Sequence, residues 1–532
     1  MQKAAAPGPG KNLPNPAELS GLSAPELLQI VQSLVGTVQS LQHQLEWFKR
    51  QHFGTKSERL KLLPNAQQLS LGEIVGATSM PPPPKTRAIA AHTRRLKSRD
   101  AADEGESLPF FDEARVPIEI IELPAPETEG LSAEQYERIG QKVSYRLAQR
   151  PGSYVVLKYI RPLIKRRDTQ AIHCAPAPRG VLEGSRADVS FIVGLLMDKF
   201  AWHLPLYRQH QRLEHAGIDV SRQWLTQLAQ QGISLLEPIY EAQLQSIRDS
   251  RVKAMDETPI KASRAGHGKM KTAYFWPVYG ERDEVCFPFF ASRSAGHVQA
   301  ALGLQITAGG VLLSDGNPVY EHYAKKTGIT HAQCWSHTRR GFFEAQAVEP
   351  QGVLEALEQI RLLYAIEDEI RKNKLTGESK RLYRLRHSKP LVEIFFEWID
   401  RQFERQDLLP SNPFTQALAY ARERKEQLQV FLEDPDVPID TNHLERALRV
   451  IPMGRKNFLF CWTELGAEHV GIVQSLIVTC RLQGIDPYTY LVDVLQRVGE
   501  HPASKVAELT PRLWKTLFAA NPMRSDLHRS QQ

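Results

Sequence analysis

Two short apolar runs in this protein each end in an aspartate, and a pair of carboxylates so placed can bind a divalent metal ion. Arg251–Met255 is followed by Asp256, and Val311–Ser314 is followed by Asp315. Both runs are predicted strands, and open α/β sheets build their sites at the carboxyl ends of strands. Turns after strands also favour Asp for purely structural reasons. The two aspartates therefore need support from a third ligand and from the surrounding elements.

A third acid would complete such a site. Two neighbouring carboxylates repel each other unless a cation lies between them. Mg²⁺ or Mn²⁺ prefers oxygen ligands, and a pair of such ions can activate a water or a 3′-hydroxyl for phosphodiester transfer. Glu445 is the candidate, on a helix predicted to begin beside Asp440, which suits an N-cap. Three scattered acids are weak evidence alone, because the sequence has 60 acidic residues.

The elements around the two aspartates predict an RNase H-like core. Pro259 predicts that the first ladder stops after Asp256. The expected order is then strand, strand, helix, strand and strand, at Ala273–Tyr279, Glu284–Phe290, Ala295–Leu304, Val311–Ser314 and Thr330–Cys334. In this topology the strand after the helix lies parallel beside the first strand. Asp256 and Asp315 would then be neighbours.

The charge distribution indicates a polyanionic partner. The 532 residues carry a net charge of +7, and residues 1–100 hold 13 Lys/Arg against 6 Asp/Glu, which is the whole surplus of seven. A basic arm on a neutral body favours nucleic acid as the partner, although a solubilising tail has the same composition. The five cysteines include no C-x-x-C pair, and no apolar run is long enough to span a membrane. The N-terminus lacks a signal peptide, so we expect a cytoplasmic, nucleoid-associated protein.

The N-terminal segments predict a helical arm. Residues 1–22 are expected to be disordered, and residues 23–60 to form a coiled coil and DNA-binding arm that opens at a Ser23–Glu26 capping box. The apolar seam has heptad spacing and predicts self-association; its residues are Leu27, Val31, Leu34, Val38, Leu41, Leu45 and Phe48. Lys49, Arg50, Lys56 and Arg59 follow as candidate phosphate contacts, as do Arg94 and Arg95 in a predicted linker over 61–130.

The remaining segments alternate between strands and helices. We expect a multidomain α/β protein, with a small α+β module over 131–185 and a helical domain over 186–250. The core is predicted to run over 251–345, to be interrupted by a helical insertion over 346–430, and to resume with a catalytic helix over 431–480. C-terminal helices and a tail fill 481–532.

Seven stretches of the sequence show a resemblance to a known family. They are HFGTKSERL (52–60), KFAWHLPLYRQHQRLEHAGIDVSRQWL (199–225), MDETPIKA (255–262), LLSDGNPVY (312–320), CWSHTRRGFFEA (334–345), DTNHLERALRVIPMGRKNFLF (440–460) and DPYTYLVDVL (486–495). In these stretches the protein resembles transposases of the bacterial insertion sequence 66 family, which have an Asp-Asp-Glu catalytic triad. Matched motif to motif, the resemblance places the catalytic and metal-binding acids on Asp256, Asp315 and Glu445. It also implies DNA partners (terminal inverted repeats and target DNA), a homo-oligomer and small accessory proteins of the same element.

One region departs from the family pattern. The family usually has a cysteine-rich zinc module after an Arg-Pro pair, whereas Arg161-Pro162 is followed here by a segment that keeps only Cys174. We therefore expect no zinc in this module, with Lys165, Arg166 and Arg167 meeting phosphates instead.

Other polar residues are assigned roles around the acids. His337 and Asn442 are predicted to support the site, and two ligands such as Cys334 and His337 do not make a zinc site. The candidate DNA contacts of the core are Arg339, Arg340, Arg446, Arg449, Arg455 and Lys456. Cations at 455 and 456 would also complement a helix dipole if Gly454 ends the helix.

The sequence is compatible with three functions. The leading one is a Mg²⁺-dependent DNA transposase. A metal-dependent nuclease on the same fold would cut DNA without joining strands. A DNA-binding protein with a vestigial triad would do neither, and the presence of all three acids argues against it.

Overall fold

A computed structural model describes most of the sequence that follows residue 109. The described residues are 23–28, 31–32, 35–36, 38, 110–114, 116–124, 132, 135–150, 152–266 and 269–529. Pro14–Gly105 and Glu106–Gln532 fall into two different compact units. No helix of the described segments is long and apolar enough to cross a membrane.

The larger unit combines three sheets with many helices, which confirms the predicted mixed α/β architecture. Its strands are β1 Ile118–Glu122, β2 Tyr136–Arg150, β3 Ser153–Arg166, β4 Ile172–Cys174, β5 Val252–Met255, β6 Thr258–Gly266, β7 Lys269–Phe275, β8 Val278–Gly280, β9 Glu284–Cys286, β10 Phe289–Phe290, β11 Val311–Ser314 and β12 Thr330–Gln333. Its helices are α1 Val189–Leu196, α2 Leu206–His215, α3 Arg222–Asp249, α4 Gly296–Leu302, α5 Pro318–Thr327, α6 Trp335–Glu344, α7 Pro350–Lys372, α8 Gly377–Phe403, α9 Pro413–Glu423, α10 Lys425–Glu433, α11 Asn442–Leu448, α12 Val450–Phe458, α13 Glu464–Leu482, α14 Pro487–Arg497, α15 Pro511–Leu517 and α16 Asp526–Arg529. A π-helical turn, Met197–Ala201, extends α1, and a 3₁₀ helix covers Ala503–Leu509.

A five-stranded sheet with the order β12-β11-β5-β8-β9 forms the centre of this unit. β11 pairs in parallel with both β5 and β12, whereas β8 is antiparallel to β5 and to β9. The predicted placement of Val311–Ser314 beside the first strand is therefore confirmed.

Both faces of the central strands β5 and β11 are buried, and the buried Lys253 of β5 donates to the Ser250 carbonyl. Ala254 and Leu313 point into one hydrophobic cluster, and Met255 and Leu312 point into the other. Helices α3 and α13 contact β9 on one side, while α4 and α5 supply residues to the second cluster. The short sheet is thus held rigid between helices.

Two strands leave the central sheet at adjacent points and continue in a second sheet of order β10-β7-β6. β5 ends at Met255 and β6 begins at Thr258, so Pro259 does not prevent a further strand. It is tolerated because β6 lies at the edge of its sheet. The single strand predicted over Ala273–Tyr279 is likewise wrong, since β7 and β8 belong to different sheets. Pro277 lies at that break, where its missing N–H interrupts a ladder.

The segment before residue 186 forms a four-stranded sheet in which β1 and β2 flank β3, and β4 also pairs with β3. β1 lies inside the predicted linker, so the last part of that prediction is wrong. The predicted α+β character is wrong as well, because the described residues from 132 to 188 contain strands and turns but no helix. The middle of β3 is buried on both faces: Val156 packs into the main hydrophobic cluster, whereas Val155 and Leu157 pack into another cluster with Leu527.

Helices are present in two segments that were predicted to be helical, 186–250 and 346–430. α1, α2 and α3 fill the segment predicted as helical over 186–250, with a turn at Gly217 (φ +83°) and an N-cap at Ser221. Helices α7 to α10 occupy the predicted insertion. Gly454, however, does not end a helix: it is buried inside α12, which continues to Phe458.

Of the N-terminal arm, the structure describes a few positions, and each one between 24 and 38 is helical. The Glu26 carboxylate accepts bonds from the Ser23 backbone N–H (2.9 Å) and hydroxyl (2.7 Å), which confirms the predicted helix start. The coiled coil stays a prediction, and Leu34, Leu41, Leu45 and Phe48 of its seam lie outside the described residues.

Candidate functional site

Strand register brings Asp256 and Asp315 to the same edge of the central sheet. Ala254 pairs with Leu313 in the parallel β5–β11 ladder. Each aspartate lies two residues beyond its member of that pair, so the two positions are level. This adjacency needs only backbone pairing.

Burial and repulsion make Asp256 hard to ionise. Its pKa is raised from 3.8 to about 7, mainly by burial and further by the charges of Asp315, Glu257 and Glu445. The one opposing contribution is the Glu257 backbone N–H, which donates to Asp256 Oδ1 at 2.7 Å. A cation that enters the site would stabilise the ionised form of this carboxyl group and lower its pKa.

Asp315 shares this environment. Burial raises its pKa, and the charge of Glu257 adds to that effect. The Asn317 N–H donates to Asp315 Oδ1 at 3.0 Å, and His337 and Arg293 also favour the charged form. Among the described residues, nearby side chains therefore offset part of the rise in the pKa of Asp315, whereas none does so for Asp256.

Glu257, next to Asp256, is a buried hydrogen-bond acceptor whose role was not predicted from the sequence. Its side chain is 4% exposed. It accepts hydrogen bonds from Arg293 Nε (2.8 Å), Asn317 Nδ2 (2.9 Å) and the Tyr320 hydroxyl (2.6 Å). Asn317 also caps α5 by accepting from the Val319 N–H at 3.3 Å. Glu257 thus ties the two strand ends together, and its only sequence signal was its place directly after Asp256.

Glu445 lies on α11, near the aspartates. It raises the pKa of Asp256, so it lies within electrostatic range. The nearest basic side-chain atoms are His337 Nε2 at 3.9 Å and Arg340 Nη2 at 3.8 Å, both beyond hydrogen-bond distance. Glu445 Oε1 is buried and has no hydrogen-bond donor. An acceptor oxygen with no donor is a free ligand position for a cation.

The donor chemistry of the three acids fits a hard divalent cation, although the side chains are not gathered into a ligand shell. In the described part of the protein, no three His, Cys, Asp or Glu side chains are arranged to hold a metal ion. Glu445 is turned towards His337 and Arg340 instead. Ligation by all three acids would require side-chain rearrangement.

Several hydrogen bonds hold α11 against α6. Cys334 Sγ accepts from the Thr441 N–H (3.3 Å) and hydroxyl (3.2 Å), and burial raises the pKa of the Cys334 thiol to about 11. The Ser336 hydroxyl donates to Asn442 Oδ1 at 3.4 Å. Asp440 Oδ1 accepts from the Asn442 N–H at 3.0 Å, as predicted, although Thr441 occupies the N-cap. Asn442 is therefore a link between two helices.

The helical insertion anchors the loop before α11. Arg384 is fully buried and forms a two-pronged ion pair with Glu367, at 2.8 Å for each bond. It also donates to the carbonyls of Phe431, Asp434 and Val437. Arg251, just before β5, pairs with Asp434 at 2.6 Å. The insertion and the central sheet are thus joined through this loop.

The insertion also touches the loop after Asp315. Arg424 Nη2 donates to the Gly316 carbonyl at 3.2 Å and lies over the Tyr420 ring, 4.1 Å from its centroid. A Cβ on Gly316 would come within 2.4 Å of the Tyr420 ring. Glycine is needed there because α9 presses on the backbone. Neither Tyr420 nor Arg424 had a recognisable signal in the sequence.

The predicted cations are divided among several places. Arg339 and Arg340 are exposed on α6. Arg446 of α11 and Arg449, directly after α11, are also exposed. Arg455 donates to the Pro259 carbonyl, three residues after Asp256, and Lys456 is exposed beside it. Of these six, Arg340 lies 3.8 Å from Glu445 and Arg455 contacts the strand that follows Asp256.

The other predicted contacts are elsewhere. Lys165 and Arg166 belong to β3 in a different sheet, with Arg167 in the turn that follows. Arg166 is paired with Asp168 at 2.7 Å. Lys49, Arg50, Lys56, Arg59, Arg94 and Arg95 lie outside the described residues.

A cleft of about 840 Å³ opens beside Glu445. The insertion forms one wall, from α7, the turn that follows it and α8. The segment Pro438–Arg449, which includes α11, forms the other. Glu445, Arg446 and Arg449 all line it, so one of the acids faces open space.

The protein matches a family of mobile-element proteins over most of its length. Residues 184–469, more than half of the sequence, match the Transposase IS66 family. Residues 475–512 match the IS66 C-terminal element, and residues 40–109 match the Transposase C of IS166 homeodomain. The homeodomain match favours DNA as a partner.

Three relatives from Sinorhizobium fredii align over nearly the whole length. The uncharacterized protein y4hP is 29% identical over 517 residues, covering 91% of this protein and 90% of the relative. The uncharacterized proteins y4jD and y4qI are each 28% identical. Their alignments cover 92% and 88% of this protein, and 97% and 87% of the respective relative.

Proposed function

The protein belongs to the IS66 transposase family, and from that premise we propose that it cleaves DNA at the ends of an insertion sequence and joins those ends to target DNA in a reaction that depends on Mg²⁺ or Mn²⁺. Asp256, Asp315 and Glu445 are the acids of this proposal. The observation that carries it is the parallel β5–β11 register, which makes Asp256 and Asp315 level at one sheet edge. The strand order of the central sheet supports an RNase H-like core.

The three acids would hold the divalent cation through carboxylate oxygens. When bound, the cation supplies activation of a water or a 3′-hydroxyl and stabilisation of the leaving oxygen. Among the described residues, no cationic side chain lowers the pKa of Asp256, which is about 7 and would fall when a cation binds nearby. Glu445 would turn its donor-free Oε1 towards the aspartates.

Neighbouring residues would position these acids. Glu257 holds Arg293 near Asp315 through a hydrogen bond of 2.8 Å. His337 lies near enough to Asp315 to stabilise its charged form and is 3.9 Å from Glu445. In this proposal His337 and Arg340 hold Glu445 until a cation enters. Arg455 and Lys456 meet the DNA backbone beside Asp256.

A strand-transfer assay tests the proposal. The purified full-length protein is incubated with DNA carrying the terminal inverted repeats and a target plasmid, with Mg²⁺, with Mn²⁺ or with EDTA. Joined products that require the metal are the expected result. Cutting without joining would identify the nuclease alternative, and binding without either reaction would identify a non-catalytic DNA-binding protein.

A further inference from the structure

The cleft beside Glu445 has a strongly cationic lining that the three acids do not explain. Its insertion wall carries Arg371, Lys374 and Lys380, and its opposite wall carries Arg446 and Arg449. The acidic side chains that line it are Glu367, Asp440 and Glu445. Glu367 is already neutralised by Arg384 at 2.8 Å.

Four of these five cations have no salt-bridge partner in the described part of the protein. They are Lys374, Lys380, Arg446 and Arg449, whereas Arg371 is paired with Asp368. Partial burial and the nearby Arg384 lower the pKa of Lys380. Lys374 and Arg449 are exposed and Lys380 is half-buried, so these cations are accessible to an anion that enters the cleft.

The backbone places Lys374 directly after the end of α7. Its φ of +52° is the left-handed conformation that commonly ends a helix. The Lys374 N–H donates to the Arg371 carbonyl at 3.2 Å, and the Leu375 N–H donates to the Ile370 carbonyl at 3.0 Å. Lys374 lines the cleft, where its ammonium group can contact an anion.

The size and the apolar surfaces of the cleft restrict the ligand. A volume of about 840 Å³ is typical of a pocket for a molecule of nucleotide size. A duplex, whose major groove alone is about 12 Å wide, is too large for it. Ile370, Leu375 and Ile439 line the cleft together with the cations. Phosphates with attached sugars and bases match this mixture of charge and apolar surface.

We propose that the cleft binds a single DNA strand, with Lys374, Lys380 and Arg449 contacting its phosphates and Glu445 facing it. The inference rests on the proposed function, because the strand is the DNA on which the acids act. It assigns DNA binding to the helical insertion, where the sequence patterns indicate none.

Binding measurements on the full-length protein test this inference without any metal. Lys374→Gly combined with Lys380→Gln removes two cleft cations, and glycine suits the backbone at 374. The matched control is Lys372→Gln with Lys389→Gln, which removes two exposed lysines of α7 and α8 that do not line the cleft. Fluorescence anisotropy with a labelled single-stranded oligonucleotide and with a duplex is measured at several salt concentrations in EDTA.

The cleft variant is expected to bind single-stranded DNA about tenfold more weakly than the control. Its salt slope should fall by about 1.4, since each phosphate contact on a single strand contributes about 0.7. Duplex binding should change little, and the melting temperature should match that of the control. Arg449→Gln, on the opposite wall, should produce a smaller loss of the same kind.

Equal single-strand affinities and slopes for the cleft variant and the control would overturn the inference. So would an equal loss for duplex and single strand. The outcome is separate from that of the strand-transfer assay. A protein that joins DNA normally while the cleft variant binds like the control would refute the cleft alone. A protein that never cuts DNA, with binding lost only in the cleft variant, would refute the transposase and retain the cleft.

Discussion

The two aspartates and the glutamate are held by different kinds of structure. Asp256 and Asp315 lie at the ends of paired strands whose neighbours Ala254 and Leu313 are in register. Glu445 lies on a seven-residue helix, α11, which is attached by side-chain bonds to α6 and by a loop to the insertion. Backbone ladders fix the first region, whereas long-range side-chain contacts fix the second.

This difference indicates which part of the site can be perturbed from a distance. Substitutions far from the sheet edge should leave the aspartates in place, because β5 and β11 are covered on both faces. Substitutions in the insertion should move Glu445, because Arg384 holds the loop that leads to α11. Catalysis should therefore be sensitive to the insertion even where metal binding by the aspartates is not.

The largest effect is expected at the sheet edge itself. Asp256→Asn or Asp315→Asn removes a carboxylate that we propose as a metal ligand. We expect cleavage and joining to fall by more than about 10³-fold, since a metal site supplies several kcal/mol of transition-state stabilisation. Quantified products in Mg²⁺ and DNA affinity in EDTA are the two measurements. Affinity should be retained, and a variant with normal turnover would remove that aspartate from the site.

The next effect concerns the anchor of the second region. Arg384→Met leaves the Glu367 carboxylate buried without its partner, so we expect a loss of about 3–5 kcal/mol in the free energy of unfolding. Adding Glu367→Gln should restore most of that stability, because the unpaired charge is gone. The double variant should still turn over more slowly than the unaltered protein, since Arg384 no longer holds the carbonyls before α11.

Arg381→Gln is the matched control for that experiment. Arg381 lies on the same helix and pairs with Glu378 and Glu433 at the surface, at 2.7 and 3.1 Å. Exposed pairs contribute about 0–1 kcal/mol. Chemical denaturation and turnover are measured for all variants. A stable double variant with unchanged turnover would show that the insertion does not position Glu445.

A smaller, pH-dependent effect should distinguish Asp256 from an ordinary carboxylate. Because its folded pKa is raised to about 7 from 3.8, the native state binds more protons than the unfolded state between these values. Stability contributed by this group is therefore present below about pH 4 and is lost as the pH rises towards 7. In EDTA, Asp256→Asn should stabilise the protein by about 1–3 kcal/mol more at pH 8 than at pH 4. An equal difference at both pH values would contradict the raised pKa.

The smallest effect is expected at the contact between α6 and α11. Cys334→Ala leaves the Thr441 N–H and hydroxyl without their acceptor, at a cost of about 1–3 kcal/mol. Cys334→Ser restores an acceptor and should lose less. Denaturant unfolding measures both, and an alanine variant as stable as the serine variant would show that the two hydrogen bonds add nothing.

The sheet edge could be predicted from the sequence because its signals are local. Apolar runs that end in Asp, separated by a helix, indicate the parallel placement of β5 and β11. Local signals fail where the backbone changes sheets: Pro259 lies inside β6, and Pro277 divides one predicted strand into two. A proline indicates an interrupted ladder, but it does not say whether the next residues join another sheet.

Contacts between distant parts of the sequence could not be predicted. Glu257 is visible beside Asp256, yet its bonds to Asn317 and Tyr320 join elements 60 or more residues apart. Gly316 resembles a turn residue, whereas the Tyr420 ring is what requires it. Gly454 has the residue type of a helix end, but it is buried within α12. These outcomes depend on which distant side chains meet, which single-sequence patterns do not encode.

The most direct test of the account is metal-dependent cleavage and joining by Glu445→Gln beside Asp440→Asn. Gln keeps the shape of Glu445 but lacks its charge, so cleavage and joining should be abolished while DNA binding stays nearly intact. Asp440 accepts the Asn442 N–H at 3.0 Å, a bond that Asn can also accept. Asp440→Asn should therefore cost only modest stability and keep activity. An active Glu445→Gln protein together with an inactive Asp440→Asn protein would show that the third acid is Asp440.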